Sequence, residues 1–382
     1  MTETIVTAAP QAAGLEGVVV AESEISFVDG QEGRLVYRGY SIEELAAHST
    51  FEEVSKLLLD GELPKREALG TFERTLTGER ALDGRTLDIV RRFPAEAEAM
   101  SALRTGVSAL GLVDPDRGDD GPEATRRKGI RLIAQFPTLL AAFHRARRGE
   151  EPVPPRADLG HAANFLYMLR GVDPDPDDAR VMDVCLILHA EHGMNASTFS
   201  ARVTAATLSD IHSAVTSAVG TLKGPLHGGA NQAVMNMLLE IDRRGEAPAE
   251  HVRKLLAAGR KVMGFGHRVY KTMDPRAPIL RAFSKDLGER SGDTRWYRMS
   301  EEILETMRRE KGLDPNVDFF SASAYHALGI PVDLFTPIFA IARVSGWVTH
   351  VEAQYARNRL IRPRAQYVGK RDLRYAPIEE RG

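Results

Sequence analysis

Cysteine is nearly absent from this sequence of 382 residues, and the single cysteine, Cys185, excludes an intrachain disulfide framework. Charge of one sign is not in excess, because 50 basic residues face 53 acidic ones and the net charge is −3. Such a chain has no overall field to draw it to nucleic acid or to an anionic membrane, so neither is expected as a partner. No stretch approaches the roughly 18 uncharged apolar residues of a transmembrane helix, and no secretory signal pattern is present. We expect a cytoplasmic protein.

Regular alternation of strands and helices is also missing, which disfavours a parallel sheet with a nucleotide fold. Alternating apolar runs at 25–28 and 35–37 flank a turn and predict a small hairpin. Capping boxes at Ser41 and Thr50 then open apolar-periodic segments, and helical spacing continues almost throughout. The sequence therefore predicts an all-α fold with a small N-terminal β-hairpin, and its length favours two domains.

The helices are predicted from apolar spacing and from their start and stop signals. They are expected at 85–92, 97–111, 123–148, 156–170, 248–263, 277–289 and 296–311. Another helix from Asp177 would place Cys185 and His192 on one stripe and end near Gly193. Thr336 and Pro337 read as the cap and first turn of a long helix reaching about residue 357.

Residues 263–276, MGFGHRVYKTMDPR, are not typical of a packed helix. Gly264 and Gly266 allow the backbone to approach a ligand closely, so His267 is presented to a site. An ordinary polar loop is the alternative. Three cations accompany this histidine and suggest an anionic substrate: Arg268, Lys271 and Arg276.

Four further positions stand out in the sequence. His227 lies in the glycine-rich segment GPLHGGAN, and Asp318 precedes a helix, where a plain N-cap is the alternative role. Arg343 interrupts an apolar helix face, and a buried cation needs partners. Arg362 lies in a rigid basic stretch, Arg-Pro-Arg, which otherwise reads as a solvated patch.

A metal site is a weaker interpretation. His189 and His192 form an HxxH pair with Glu191 between them, but zinc needs a third protein ligand and the HEXXH spacing is absent. We expect no metal and take His192 as a residue that reaches a cleft from a helix end.

The whole set suits acid–base chemistry, since no serine lies in a nucleophile elbow and the cysteine lies in an apolar run. A carboxylate can remove a weakly acidic proton beside a carbonyl while a neutral imidazole donates a hydrogen bond to the enolate oxygen. Such a set makes or breaks carbon–carbon bonds, and its arginines fit a substrate rich in carboxylates.

Seven segments in order resemble citrate synthase from Gly14 nearly to the end of the chain. They read GLEG, LHAEHGMNASTF, GPLHGGAN, MGFGHRVYKTMDPR, NVDFFSA, FTPIFAIARVSGW and LIRPRAQYVG. The resemblance implies a helical homodimer with a large domain from residues 1–221 and 328–382. A small inserted domain, 222–327, would carry catalytic and CoA-binding residues and close over the substrates.

By the same resemblance, Asp318 is the base for the acetyl methyl group of acetyl-CoA, and His227 stabilises the enol. His267 polarises the ketone of oxaloacetate and acts as the acid. Oxaloacetate would be held by His192, Arg276, Arg343 and, from the partner subunit, Arg362. The CoA adenine would meet the backbone of Arg260, Lys261, Val262, Met263 and Gly264. Acetyl-CoA is implied as a co-substrate, with no permanently bound cofactor.

Several alternatives stay open at this point. Phe320, Ser321 and Ala322 follow Phe319 where many relatives read Tyr-Ser-Gly after Asp-Phe, and this segment also resembles 2-methylcitrate synthase, which uses propionyl-CoA. A bifunctional enzyme is therefore open, because one methylene changes affinity by only about 1 to 3 kcal/mol. A citryl-CoA lyase module and a non-catalytic helical binding module are two further, less favoured interpretations. The long, NADH-inhibited form is not expected, since about 13 residues precede Gly14.

Overall fold

A computed structural model describes residues 13–267 and 269–381, so the predicted cation Arg268 lies outside the described residues. Within these ranges sixteen α-helices accompany one small sheet, which confirms the all-α prediction. The helices are α1 Ile42–His48, α2 Phe51–Asp60, α3 Arg66–Gly78, α4 Gly84–Arg91, α5 Ala99–Val113, α6 Pro122–Ala146, α7 His161–Arg170, α8 Pro176–His189, α9 Ala196–Ala205, α10 Ile211–Leu222, α11 Ala230–Arg244, α12 Pro248–Ala257, α13 Ala277–Ser291, α14 Arg295–Lys311, α15 Val317–Ala327 and α16 Phe335–Ala356. Short 3-10 turns occupy Ala13–Leu15, Val332–Leu334 and Ile378–Glu380.

The sheet is antiparallel and has three strands, β1 Ser26–Asp29, β2 Arg34–Tyr37 and β3 Tyr40–Ser41. The first two form the predicted hairpin, with Phe27 opposite Val36. The third strand was not predicted, because only two residues pair after a tight turn at Gly39, whose φ is +94°. Glycine adopts a positive φ at little cost in free energy, so the chain can reverse direction at Gly39 without a longer loop.

Local start signals are borne out at both capping boxes, where the Ser41 and Thr50 side chains accept from the third backbone N–H of α1 and α2. Two predicted boundaries are wrong. Helix α7 begins only at residue 161, because the backbone of Gly160 at its N-cap is extended (φ −61°, ψ 170°), and α12 ends at residue 257 rather than 263.

Three further helix ends differ from prediction. Helix α8 stops at His189, so His192 lies beyond it and does not continue its buried stripe. Helix α15 is capped by the Asn316 side chain, and Asp318 is in the first turn instead of at the cap. Helix α16 follows a 3-10 turn, and the Thr336 hydroxyl donates to the Gly228 carbonyl at 3.1 Å instead of capping.

Helix α16 is the centre of the fold and packs against α2, α6, α8, α9 and α10. Two glycines permit this close packing. A Cβ on Gly129 of α6 would lie 2.4 Å from Val348, and one on Gly346 would lie 2.5 Å from the Ala190 carbonyl oxygen. Within the described residues, the segment Val332–Ala356 is long and apolar enough to cross a membrane, but its apolar stretch of 18 residues is wholly buried and forms the core.

Helices α11 to α15 pack mainly on one another, while α16 anchors most of the remaining helices. Helices α11 to α15 thus form a second group. The loop between α10 and α11 leads into this group, and the loop between α12 and α13 lies within it. These loops carry His227 and His267. The predicted domain boundaries at 222 and 327 remain a prediction.

Candidate active site

The C-terminal end of α8 brings two cations together. A helix end leaves its last carbonyls without partners inside the helix and carries partial negative charge. The Arg343 Nε donates to the His189 carbonyl at 2.7 Å, and the Arg276 Nη1 donates to the Leu188 carbonyl at 3.4 Å. Both guanidinium groups belong to residues at most 2% exposed. The helix end therefore fixes two buried arginines at one place.

Arg343 has the partners that its place in an apolar helix face predicted. Besides the carbonyl on α8, its guanidinium lies 4.7 Å from the centre of the Phe339 ring. Burial lowers the pKa of Arg343 to about 10, and attraction to Glu191 opposes that shift. The side chain stays cationic at neutral pH.

Arg276 is paired with Asp274. Its Nε and Nη2 donate to the two carboxylate oxygens at 2.9 and 2.8 Å. Burial opposes the charge, yet this ion pair raises the pKa of Arg276. Asp274 also accepts from the backbone N–H of Val317 at 3.1 Å, which joins the arginine to the start of α15.

His267 is held in one tautomer by the loop around it. The backbone N–H groups of Val269 and Tyr270 both lie 3.0 Å from its Nδ1 and can only donate. Nδ1 must therefore accept, which assigns the proton of the neutral ring to Nε2. Burial, followed by the nearby charge of Arg276, lowers the pKa of His267 to about 4. The ring is a neutral hydrogen-bond donor at physiological pH.

The loop of His267 is tied to the first turn of α15. The Asn316 N–H donates to the Gly264 carbonyl at 2.9 Å, and its Nδ2 donates to the Gly266 carbonyl at 3.0 Å. Gly264 has φ of +82°, and a Cβ there would lie 2.8 Å from the Phe319 ring. Only glycine fits that close approach, which brings the histidine loop and Asp318 to one place.

His227 is also held as a neutral imidazole. The backbone N–H of Ser197 lies 3.3 Å from its Nε2, and the Ser197 hydroxyl lies 2.8 Å from the same atom. Because the backbone group can only donate, the geometry assigns the ring proton to Nδ1. Burial, with a smaller effect of Arg343, lowers the pKa of His227 to about 4.

Asp318 is a buried carboxyl, 8% exposed, whose Oδ1 has no hydrogen-bond partner within the described chain. Burial raises the pKa of Asp318 to about 7, although Arg276 and Arg343 attract its negative form. A carboxyl that titrates near neutral pH suits a general base.

His192 completes the group. Its ring centre lies 5.2 Å from that of His267, and its Nε2 lies 3.2 Å from the Tyr270 hydroxyl. Burial lowers the pKa of His192 well below its usual range, and Arg276 adds to that shift. Three histidines near two arginines are therefore neutral donors or acceptors.

The two remaining predicted sets are Arg362 and the segment Arg260 to Gly264, which meets the site at Gly264, whose carbonyl accepts from the Asn316 N–H. Arg362 is exposed, and within residues 13–267 and 269–381 no hydrogen bond or ion pair joins it to the cluster of its own chain. The segment from Arg260 to Gly264 leaves the helix after Ala257. Arg260 and Lys261 are exposed there, whereas Val262 is buried and Met263 is half-buried.

The HxxH pair is not arranged as a metal site. His189 is fully buried and its Nδ1 donates to the Cys185 carbonyl at 2.7 Å. Over the described ranges, no group of three or more His, Cys, Asp or Glu side chains could hold a metal ion. Cys185 is buried too, and burial raises the pKa of its thiol to about 12, so it is a poor nucleophile.

Sequence reasoning missed Tyr270 and Ser197, which contact His192 and His227, and it gave Asp274 no role. The first two lie inside recognised segments, and the Asp-Pro-Arg spacing was the available signal for the third. Nothing in the local sequence marks His350, a fully buried residue in α16 that contacts Glu191 at 3.1 Å.

Together the fold and the site define a mainly helical enzyme with a buried carboxyl group whose pKa is raised, two oriented neutral imidazoles and two fixed arginines. Comparisons with known proteins give the family. The protein-family model described as citrate synthase, C-terminal domain, matches residues 14–364 of this chain. The chain belongs to the citrate synthase family, a family of acyltransferases.

Individual relatives agree with this assignment. A citrate synthase of Haloferax volcanii is 53% identical over 96% of this chain and 98% of its own length. A solved citrate synthase of Thermoplasma acidophilum, in a ternary complex with carboxymethyl coenzyme A and oxaloacetate, is 31% identical with a TM-score of 0.92, covering 97% of this chain and all of its own. A 2-methylcitrate synthase 1 of Corynebacterium glutamicum is less similar, at 44% identity over 96% of this chain and 98% of its own length.

Proposed function

We propose that this protein condenses acetyl-CoA with oxaloacetate and hydrolyses the resulting citryl-CoA to citrate and CoA. The observation that carries the proposal is the convergence of a carboxyl titrating near pH 7 with imidazoles whose tautomers are fixed by backbone N–H groups. Acetyl-CoA acts as co-substrate, and we expect no permanently bound cofactor.

The first step is removal of a methyl proton from acetyl-CoA by the Asp318 carboxylate. The Nδ1–H of His227 donates a hydrogen bond to the enol oxygen that forms, and a neutral donor oriented in advance needs no reorganisation. The enol carbon then attacks the ketone carbon of oxaloacetate. The Nε2–H of His267 polarises the ketone oxygen and gives it a proton, which completes citryl-CoA, and the proton that Asp318 removed returns to His267 so that both groups regain their starting forms. Water then cleaves the thioester and CoA leaves as the thiol.

Oxaloacetate is held in this proposal by Arg276, Arg343 and His192. The two buried guanidinium groups supply permanent charge, and their fork geometry suits carboxylates. CoA adenine meets the backbone from Arg260 to Gly264, where the chain has left the helix.

The test is steady-state release of free CoA thiol in the presence of oxaloacetate, with acetyl-CoA and propionyl-CoA compared on one preparation. Higher kcat/KM with acetyl-CoA is expected. The reverse order would move the protein to the 2-methylcitrate branch, and similar values would mean a bifunctional enzyme. Release that survives in Asp318→Ala, or no release with either thioester, would contradict the mechanism.

We infer a homodimer in which Arg362 reaches the site of the partner subunit. The exposed position of this arginine, on a segment without helix after α16, supports sharing between subunits. Mixing refolded Arg343→Ala and Arg362→Ala chains tests it, because a hybrid dimer regains one intact site only if Arg362 acts across the interface. Activity that stays absent in verified hybrids would place Arg362 elsewhere, and a hexameric mass would contradict the dimer.

Domain closure is the last part of the proposal, with the small domain at 222–327 moving over the substrates. Closure would exclude water before the enol forms and strengthen the hydrogen bonds to it. Small-angle scattering with and without both ligands should show a more compact form when they are bound. An unchanged profile would contradict closure.

The balanced charge and single buried cysteine support a cytoplasmic location.

A further inference from the structure

Glu191 is a fully buried carboxylate directly before His192 in the chain. Its Oε1 accepts from the Ser26 hydroxyl at 2.9 Å and lies 3.1 Å from the Nε2 of His350, which is also fully buried. Its Oε2 has no hydrogen-bond partner within the described residues. Burying a carboxylate with one oxygen unpaired is costly, so a purely structural role explains it poorly.

The same network fixes the peptide groups on both sides of His192. The Ser26 hydroxyl accepts from the Gly193 N–H at 3.1 Å, and the Tyr37 hydroxyl accepts from the Glu191 N–H and donates to its carbonyl at 2.7 Å. These contacts come from the small sheet, far away in sequence. They hold the backbone of His192 from either side.

Helix α16 presses against this carboxylate. A Cβ on Gly346 would lie 2.3 Å from Oε2, so glycine is needed there for the helix to approach. The titratable and charged groups that face Glu191 are His350 and Arg343 of α16, with Tyr37 and Arg38 of the sheet region. Behind His350, Arg202 of α9 lies 3.5 Å from its Nδ1.

We propose that Glu191, held by Ser26 and His350, is a positioning residue for oxaloacetate. It fixes the backbone of His192 and provides the negative charge that offsets Arg343 when the site is empty. The inference rests on the proposed function, because it assigns Glu191 to the oxaloacetate half of that site.

The test is Glu191→Gln, which keeps the shape and removes the charge. The KM for oxaloacetate should rise about tenfold, the size expected for a disturbed charged hydrogen-bond network, with the KM for acetyl-CoA changed by less than about twofold. Glu191→Asp, which keeps the charge, should recover part of the loss. The matched control is His251→Gln, which disrupts another histidine–carboxylate contact, 2.9 Å between the buried His251 of α12 and Glu246 in the loop before that helix. Neither α12 nor this loop carries an assigned site residue.

Equal increases in both KM values, or no recovery with aspartate, would mean a structural role and overturn the inference. If Glu191→Gln does not fold, Ser26→Ala removes one contact at a half-buried position and should raise the KM for oxaloacetate in the same direction. An unchanged KM in Ser26→Ala would then overturn it. Absence of CoA release in the wild type would contradict the proposed function instead, whereas an active wild type with a normal Glu191→Gln variant would contradict only this inference.

Discussion

The two sides of the site are built differently. Arg343 projects from within α16 onto the end of α8, and Arg276 precedes α13, so the groups assigned to substrate charge belong to buried helical frames. His227 and His267 lie in glycine-containing loops, where backbone N–H groups fix their tautomers. Binding of a charged substrate requires arginines that are held rigidly and away from water, whereas proton transfer requires a hydrogen-bond donor of fixed orientation. The comparison predicts that substitutions on the two sides damage different kinetic constants.

The largest effect should come from Asp318→Asn. Removal of a general base lowers kcat by about 10³-fold, in the middle of the range for such catalysis. The KM for oxaloacetate should stay within about threefold of the wild type, since the arginines and His192 are untouched. Steady-state thiol release measures both constants. A large rise in KM with little change in kcat would erase the distinction between the two sides.

Arg343→Lys tests the helical side. Lysine keeps the charge but loses the fork that donates both to the His189 carbonyl and toward a carboxylate, so the KM for oxaloacetate should rise about 100-fold. The KM for acetyl-CoA should change little. Comparable damage to both constants would show that Arg343 does more than bind oxaloacetate.

Gly30→Ala tests the loop side from a distance. The Gly30 carbonyl accepts from the Lys271 N–H at 2.7 Å, and a Cβ at Gly30 would lie 2.1 Å from the Val269 carbonyl oxygen. The added methyl group at Gly30 must therefore displace the loop that presents His267, and kcat/KM should fall about tenfold. Gly84→Ala, where a Cβ meets nothing within 4 Å, is the control and should keep full activity. Full activity in both variants would show that the hairpin does not position the loop.

The last prediction concerns stability and its dependence on pH rather than catalysis. The pKa of Asp318 is raised to about 7, so its neutral form is favoured in the folded state. The stabilisation is present below about pH 4 and is lost as pH rises through 7. The side chain in Asp318→Asn does not titrate, so this variant should gain stability relative to the wild type as pH rises between these values, by up to about 4 kcal/mol. Urea denaturation should show a larger advantage of the variant at pH 8 than at pH 5, and an equal difference at both values would contradict it.

Much of the fold follows from local sequence. The capping boxes at Ser41 and Thr50 and the apolar spacing of most helices depend on neighbours within a few residues. Helix ends were harder to predict. Helix α8 stops at His189 although apolar spacing could continue, and Tyr37, Arg276 and Arg343 donate to the Ile187, Leu188 and His189 carbonyls at its end.

The residues of the candidate site also fall into those that the local sequence marks and those that it does not. Glycines beside His227 and His267 mark both residues, and the lone charge of Arg343 marks a third. The contact of Tyr270 with His192 joins residues 78 positions apart, and that of His350 with Glu191 joins residues 159 apart. Such pairs depend on how helices pack, and a single sequence does not carry that information in any local pattern.

The most direct test of this division is calorimetric binding of oxaloacetate to Asp318→Asn and to Arg343→Lys, each compared with the wild type. We predict that Asp318→Asn binds oxaloacetate with nearly wild-type affinity although its kcat is about 10³-fold lower. Arg343→Lys should bind about 100-fold more weakly. Equal loss of binding in the two variants would contradict the separation of substrate binding from proton transfer.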